Sequence, residues 1–266
     1  MKLVWVTSFG KDMLAPSGRP LIKSFAASGS EGKLVVYAEG CAAELRAGEL
    51  PKNVEVVDLS ADPWLAQWLE FNADVIPAAL GGRLAAPECR CKGGPFSPHA
   101  KEHRMPCPGH WFCKNASRWF RKIAALRHAR AANPDALVWV DADCRFRRPV
   151  TARAARGWFR DQAAVFYHKS KRPVMEAGVI GYHLGRGAGR VLDWIEDCYW
   201  GGAYKALDRW DDSYVIQKAL EKCRDVRAVD LATKVGPHAT VIDFGPVGEY
   251  IFHDKGRHGR KLGIMK

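Results

Sequence analysis

Apolar residues in the first sixty positions come in short β-branched and aromatic runs: "LVWV" at 3–6, "LVVYA" at 34–38 and "VEVV" at 54–57, each bounded by Gly, Pro, Asn or Lys. Runs this short with such boundaries predict buried strands. Between them the period lengthens. Residues 20–28, "PLIKSFAAS", open on Pro20 as a first helical residue, and "ADPWLAQWLEFNA" offers Asp62 as a cap, Pro63 behind it, and Trp64, Trp68 and Phe71 at helical spacing. Strands alternating with helices predict an α/β fold with a mostly parallel sheet flanked by helices.

Residues 81–114, rich in Gly, Pro, Cys and His, interrupt the rhythm and read as an inserted loop. Regular structure resumes with the helix "ASRWFRKIAALRHARAA", which sets Trp119, Ile123 and Leu126 on one face, stops before "NPD" and feeds the strand "LVWV" at 137–140. Asp141 and Asp143 follow at once, at a strand's carboxyl end, the edge where open α/β sheets bind ligands. The second half is more mixed, with strands predicted at 163–167, 179–182 and 240–244 ("TVIDF") and helices at 187–199 and 211–222. No linker or internal repeat divides the chain, so 1–266 read as one domain, with a nucleotide-binding half at 1–144 and an acceptor half with a closing tail at 145–266.

Composition narrows the class. A chain of 266 residues, 47% hydrophobic, can bury a full core. No apolar run approaches the roughly 18 residues of a membrane span, and "MKLVWVTSFG" is too short in its apolar centre for a secretory signal. The expectation is a soluble protein without a transmembrane segment, located in the cytoplasm (a host's, were the chain viral). Lys and Arg number 41 against 29 acids, a net +12 that favours polyanionic partners such as nucleic acid, anionic membrane or nucleotide phosphates.

Two carboxylates one residue apart repel each other unless a divalent cation lies between them and a phosphate. Magnesium and manganese suit that position, since they take one or two protein carboxylates together with substrate phosphates. D-x-D also arises by chance, and a solvated turn is the alternative. The apolar strand before it, and the helix carrying Arg118, Arg121 and Lys122, make the pair a candidate site.

Four stretches together resemble a family. "FRKIAALRHARAANPDALVWVDAD", "EAGVIGYHLG" at 176–185, "RWDDSYVIQKAL" at 209–220 and "HDKGRHGRK" at 253–261 are similar, in order and approximate spacing, to segments of nucleotide-sugar-dependent glycosyltransferases of the GT-A fold. The resemblance implies a GT-A-like sheet, a manganese or magnesium ion, and a nucleoside diphosphate sugar, a UDP-sugar before others, as donor. By it Asp141 approaches the ribose and the metal, Asp143 binds the metal, and His253 completes the coordination from the tail. Lys255 and Gly256 then face the diphosphate, Thr7 and Ser8 end the first strand at the nucleotide, and Lys122 reaches the same pocket. Glu176, Asp211 and Asp212 lie on the acceptor side; one of them is the general base if configuration inverts, and they position the acceptor if it is retained. Each also has a plainer reading, as a strand entry or as acids at a helix start. Family members often continue into K-P-W, whereas "RKLGIMK" follows here, which leaves Lys261 without a role.

Cys89, Cys91, Cys107 and Cys113 lie in the inserted loop as C-x-C, fifteen residues, then C-x5-C, with His99, His103 and His110 between them. Four thiolates can hold a structural zinc that braces a loop poor in apolar residues; free thiols or a mixed Cys and His site are the alternatives. Between 145 and 172 stand nine Lys or Arg against Asp161 alone, interleaved with Trp158, Phe159, Phe166 and Tyr167. Such a stretch can follow a phosphate backbone and stack on an extruded base; alternatively its aromatics are core. With the net charge it points to DNA as acceptor, and the family resemblance then suggests glycosylation of a hydroxymethylated pyrimidine in virus DNA. A transferase of cell-surface glycan synthesis and a non-catalytic, zinc-braced nucleic-acid-binding protein are the competing readings.

Overall fold

A computed structural model describes residues 1–72, 116–160, 162–169, 175–232 and 241–254. The strands are β1 (Leu3–Gly10), β2 (Lys33–Glu39), β3 (Val54–Asp58), β4 (Ala136–Val140), β5 (Cys144–Phe146), β6 (Val165–His168), β7 (Glu176–His183), β8 (Ala228–Asp230) and β9 (Ile251–His253). The helices are α1 (Lys11–Met13), α2 (Arg19–Ser28), α3 (Ala42–Arg46), α4 (Pro63–Phe71), α5 (Ala116–Ala131), α6 (Ala152–Trp158), α7 (Gly189–Trp200) and α8 (Asp212–Lys222). Seven strands form one mixed sheet in the order β3-β2-β1-β4-β7-β6-β8, while β5 and β9 pair separately. Of the neighbouring pairs only β4–β7 and β6–β7 are antiparallel, so the sheet is mostly parallel as the alternating pattern predicts.

Strand alternation divides the apolar residues between two faces. Val4, Val6, Leu137, Trp139, Ile180 and Tyr182 pack on one side with α4, α5, α7 and α8. Leu3, Trp5, Val138, Val140, Phe166 and Val179 pack on the other with α2, α3 and α6. Helix α4 starts as its sequence predicts: the Asp62 carboxylate accepts from the Leu65 amide at 2.8 Å and Pro63 occupies the first turn. Trp68 of α4 is buried and stacks on Phe120 of α5 with ring centroids 4.0 Å apart, whereas Phe71, expected on the same face, is 66% exposed. Among the described residues no helix is long and apolar enough to cross a membrane.

Two expectations need correction. "TVIDF" is no strand where it is described: Val241–Asp243 form a 3-10 turn. The Asp243 carboxylate accepts from the His253 amide at 2.7 Å, and Gly248 lies so close that a Cβ there would sit 2.3 Å from the Asp243 carbonyl carbon. This tight return brings β9 to β5 and outweighs the β propensity of Val and Ile. The aromatics of the basic stretch are core, with Trp158 2%, Phe159 0% and Phe166 0% exposed and Tyr167 half-buried. Trp158, Phe159 and Phe166 are closed to a stacking base.

Gly181 of β7 illustrates how tightly that core closes. A Cβ there would lie 2.0 Å from Cε1 of Phe166, whose ring is wedged against Trp158 and Phe159. Gly181→Ala is therefore expected to cost about 1–3 kcal/mol in urea denaturation; an unchanged midpoint would contradict this packing.

His168 of β6 is fully buried and donates from Nδ1 to the Val179 carbonyl at 3.2 Å. Burial, opposed only in part by that bond, pushes its imidazole down to about 4. A folded value below the unfolded 6.5 means that the unfolded state takes up the proton first, so stability falls as pH drops from about 6.5 towards 4, by up to about 3 kcal/mol. His168→Gln should flatten that part of the stability profile, read by denaturation at pH 7 and pH 4.5; an equal pH slope in both proteins would rule the assignment out.

Candidate active site at the carboxyl edge of the sheet

The chain leaves β1 towards β2 and β3, then returns to place β4 on the other side of β1, which makes the carboxyl ends of β1 and β4 the switch point of the sheet. Asp141 follows β4 directly. It faces the α5 side with Trp139, whose indole Nε1 donates to Asp141 Oδ1 at 2.6 Å, and its amide donates to the Gly178 carbonyl at 2.8 Å. The chain then turns sharply, with the Cys144 amide donating to the Asp141 carbonyl at 2.9 Å, and enters β5.

That short strand explains how the tail arrives. β5 pairs antiparallel with β9, Cys144 opposite His253, which sets the imidazole beside the D-x-D turn. His253 Nε2 lies 2.8 Å from Asp143 Oδ1, and the Asp254 amide donates to the Asp143 carbonyl at 2.7 Å. Gly178 of β7 forms the floor: a Cβ there would stand 3.2 Å from His253 Cε1 and 3.4 Å from Asp141 Oδ2. Ligand atoms of Asp143, Cys144 and His253 fall within 4.8 Å of one another.

Burial raises the Asp141 carboxyl, opposed by the nearby Lys122 ammonium and reinforced by Asp143. For His253 burial alone would lower the imidazole, but the bond to Asp143 and the charges of Asp143 and Asp141 together outweigh it and raise it. The Cys144 thiol is held well above its usual value by burial and then by Asp141, and its Sγ contacts the Gly178 carbonyl at 3.8 Å. Asp143 and His253 are the candidate ligands here, the imidazole releasing its proton when a cation binds, while the thiol stays protonated. One carboxylate oxygen and one imidazole nitrogen facing each other, with a second carboxylate across Gly178, fit a manganese or magnesium ion.

Lys122, from α5, is 4% exposed beneath the site. Its Nζ donates to Asp212 Oδ2 at 2.6 Å and to the Ala177 carbonyl at 2.8 Å, lies 3.9 Å from Asp141 Oδ1, and sits 4.5 Å from the centroid of the Trp139 ring. The structure thus brings Asp141, Lys122 and Asp212 into one buried network. Asp212 Oδ1 also accepts from the Ser213 amide at 2.8 Å. Asp211, 2% exposed, takes a two-pronged contact from Arg209 at 2.7 and 2.9 Å, and burial raises its carboxyl against that guanidinium. Glu176 is half-buried at the start of β7, two residues before Gly178. Thr7 is fully buried and its hydroxyl finds no partner among the described residues, so of the β1 pair Ser8 is the one with exposure. Lys255, Gly256 and the four cysteines Cys89, Cys91, Cys107 and Cys113 lie outside the described residues.

Trp139, Gly178 and Arg209 escaped sequence reading. Trp139 was legible in principle, because i and i+2 of a strand share a face; the contacts of Gly178 and Arg209 depend on tertiary approach.

No family model and no curated protein matches the sequence. Among solved structures the chain is similar to the crystal structure of mouse xyloside xylosyltransferase 1 in its apo form, with 11% sequence identity, coverage of 87% of this chain and 86% of that chain, and a TM-score of 0.46.

Proposed function

We propose that this chain is a metal-dependent glycosyltransferase that moves a sugar from a nucleoside diphosphate sugar, a UDP-sugar before others, to a hydroxyl acceptor. The observation that carries the proposal is the convergence of Asp141 and Asp143 at the sheet's switch point with His253 2.8 Å from Asp143, delivered by a separate two-stranded pairing. Asp143 and His253 would hold a manganese or magnesium ion, with Asp141 beside them. When bound, that ion neutralises charge on the departing diphosphate.

The chain's own residues have the remaining tasks. Trp139 and Lys122 fix the Asp141 carboxylate from below, and Gly178 leaves room for it and for His253. Asp212 and Asp211, each held in a buried ion pair, are positioning groups. Glu176 is then the acceptor-side carboxylate with most access to solvent, and if configuration inverts it takes the acceptor hydroxyl's proton.

DNA as acceptor draws on the net charge of +12, without the aromatic platform that the sequence suggested. The discriminating experiment offers a panel of nucleotide sugars with manganese or magnesium to small hydroxyl acceptors, glycan oligosaccharides and hydroxymethylated DNA, with products read by mass spectrometry. Metal-dependent transfer, or release of nucleoside diphosphate, is the expected result. Inertness towards every donor under both metals would overturn the proposal.

A further inference from the structure

At the opposite end of the sheet, where β7 finishes beside the beginning of β4, an open-mouthed cavity of about 340 Å³ is lined by Met1, Asp135, Arg156, His183, Gly185 and Arg186. Its volume falls in the range of small-molecule sites, roughly 300–1,000 Å³. His183 is five residues along β7 from Gly178, roughly 16 Å of strand, so this cavity is separate from the D-x-D edge.

The charges around it are unbalanced. Asp135 is already engaged, accepting from the Lys2 amide at 2.5 Å. Arg156, exposed on α6, and Arg186, on the turn after β7, have no hydrogen-bond or ion-pair partner for their guanidinium groups among the described residues. Arg186 Nη1 and His183 Nδ1 are shielded from water and unpartnered as well. A buried N–H donor left this way, as on Arg186, costs free energy until an acceptor meets it. Burial lowers the His183 imidazole, and the positive charges of Arg186 and Arg156 lower it further against the opposing charge of Asp135, so both guanidinium groups act on the same ring.

We infer that this cavity binds a phosphate group, free or carried on a small molecule, between the guanidinium groups of Arg156 and Arg186 with His183 at its back. Two planar guanidinium groups offer paired N–H donors to a tetrahedral oxyanion, a match that lysine ammonium groups lack. The inference is independent of the glycosyltransferase proposal, because it uses no residue of the D-x-D edge.

Calorimetric titration of the full chain with inorganic phosphate, in EDTA and at ionic strength held constant with chloride, tests it. Saturable binding is expected, weakened about tenfold or more in Arg156→Ala and in Arg186→Ala, and unchanged in Asp141→Asn. Arg156 is exposed and unpaired, so its variant keeps the fold, which a thermal melt checks. Glycerol phosphate run in parallel separates the sources: tighter binding than inorganic phosphate identifies a phosphorylated small molecule, equal binding identifies free phosphate. No saturable binding, binding indifferent to both arginine variants, or binding lost in Asp141→Asn would overturn the assignment.

Discussion

Asp143→Ala is expected to lower sugar transfer by at least about 10³-fold, since removing a single preorganised electrostatic group already costs about 10²–10³ in rate and this one would also hold the cation. The expectation follows from position. Asp143 meets the His253 imidazole at 2.8 Å, the β5–β9 pairing fixes His253 by its backbone, and the Asp254 amide holds the Asp143 carbonyl at 2.7 Å. His253→Ala should weaken metal binding in the same direction while leaving Asp143 in place. Steady-state rates measured over a manganese titration check the pair, and a variant of Asp143 with near-normal, metal-dependent turnover would remove the residue from the site.

The largest effect on stability is expected at Lys122. Its ammonium is 4% exposed and bonds to Asp212, itself buried, at 2.6 Å. Removing one member of a buried ion pair leaves the other charge without compensation, which costs about 3–5 kcal/mol. Lys122→Met should therefore destabilise the chain by that amount in urea denaturation. Adding Asp212→Leu should recover much of the loss, because replacing both partners by apolar groups of similar size is often neutral. A double variant that loses the sum of the two single effects would mean that the residues do not interact. Beyond stability, loss of Lys122 withdraws a cation that lies 3.9 Å from Asp141, so donor affinity should fall even in folded protein.

The sequence made the sheet legible where burial leaves a simple pattern. The runs at 3–6, 34–38 and 54–57 became β1, β2 and β3, and the cap at Asp62 formed, because these elements depend on local periodicity and local hydrogen bonds. β5 and β9 were invisible, each being three residues long and stabilised by its partner across more than a hundred positions. The same reason hid the turn at Val241–Asp243, where a carboxylate bond to the His253 amide overrides strand propensity. Charge patterning misled at 145–172, since arginine spacing says nothing about which way the intervening Trp158 and Phe159 face. Asp141 and Asp143 were readable as a pair because an apolar strand ended on them. Of their company, Lys122 and Asp212 were named through the family resemblance alone, while the bond between those two and the close approach of Gly178 depend on the packing of α5, α8 and β7.

Manganese binding read by electron paramagnetic resonance, with and without UDP, tests the central claim most directly. In the wild-type chain UDP should tighten manganese binding at one site, and both the site and the tightening should vanish in Asp143→Asn and in His253→Ala while the melting profile persists. Manganese bound equally well by all three proteins, or with no response to UDP, would contradict a cation held by Asp143 and His253 for a nucleoside diphosphate.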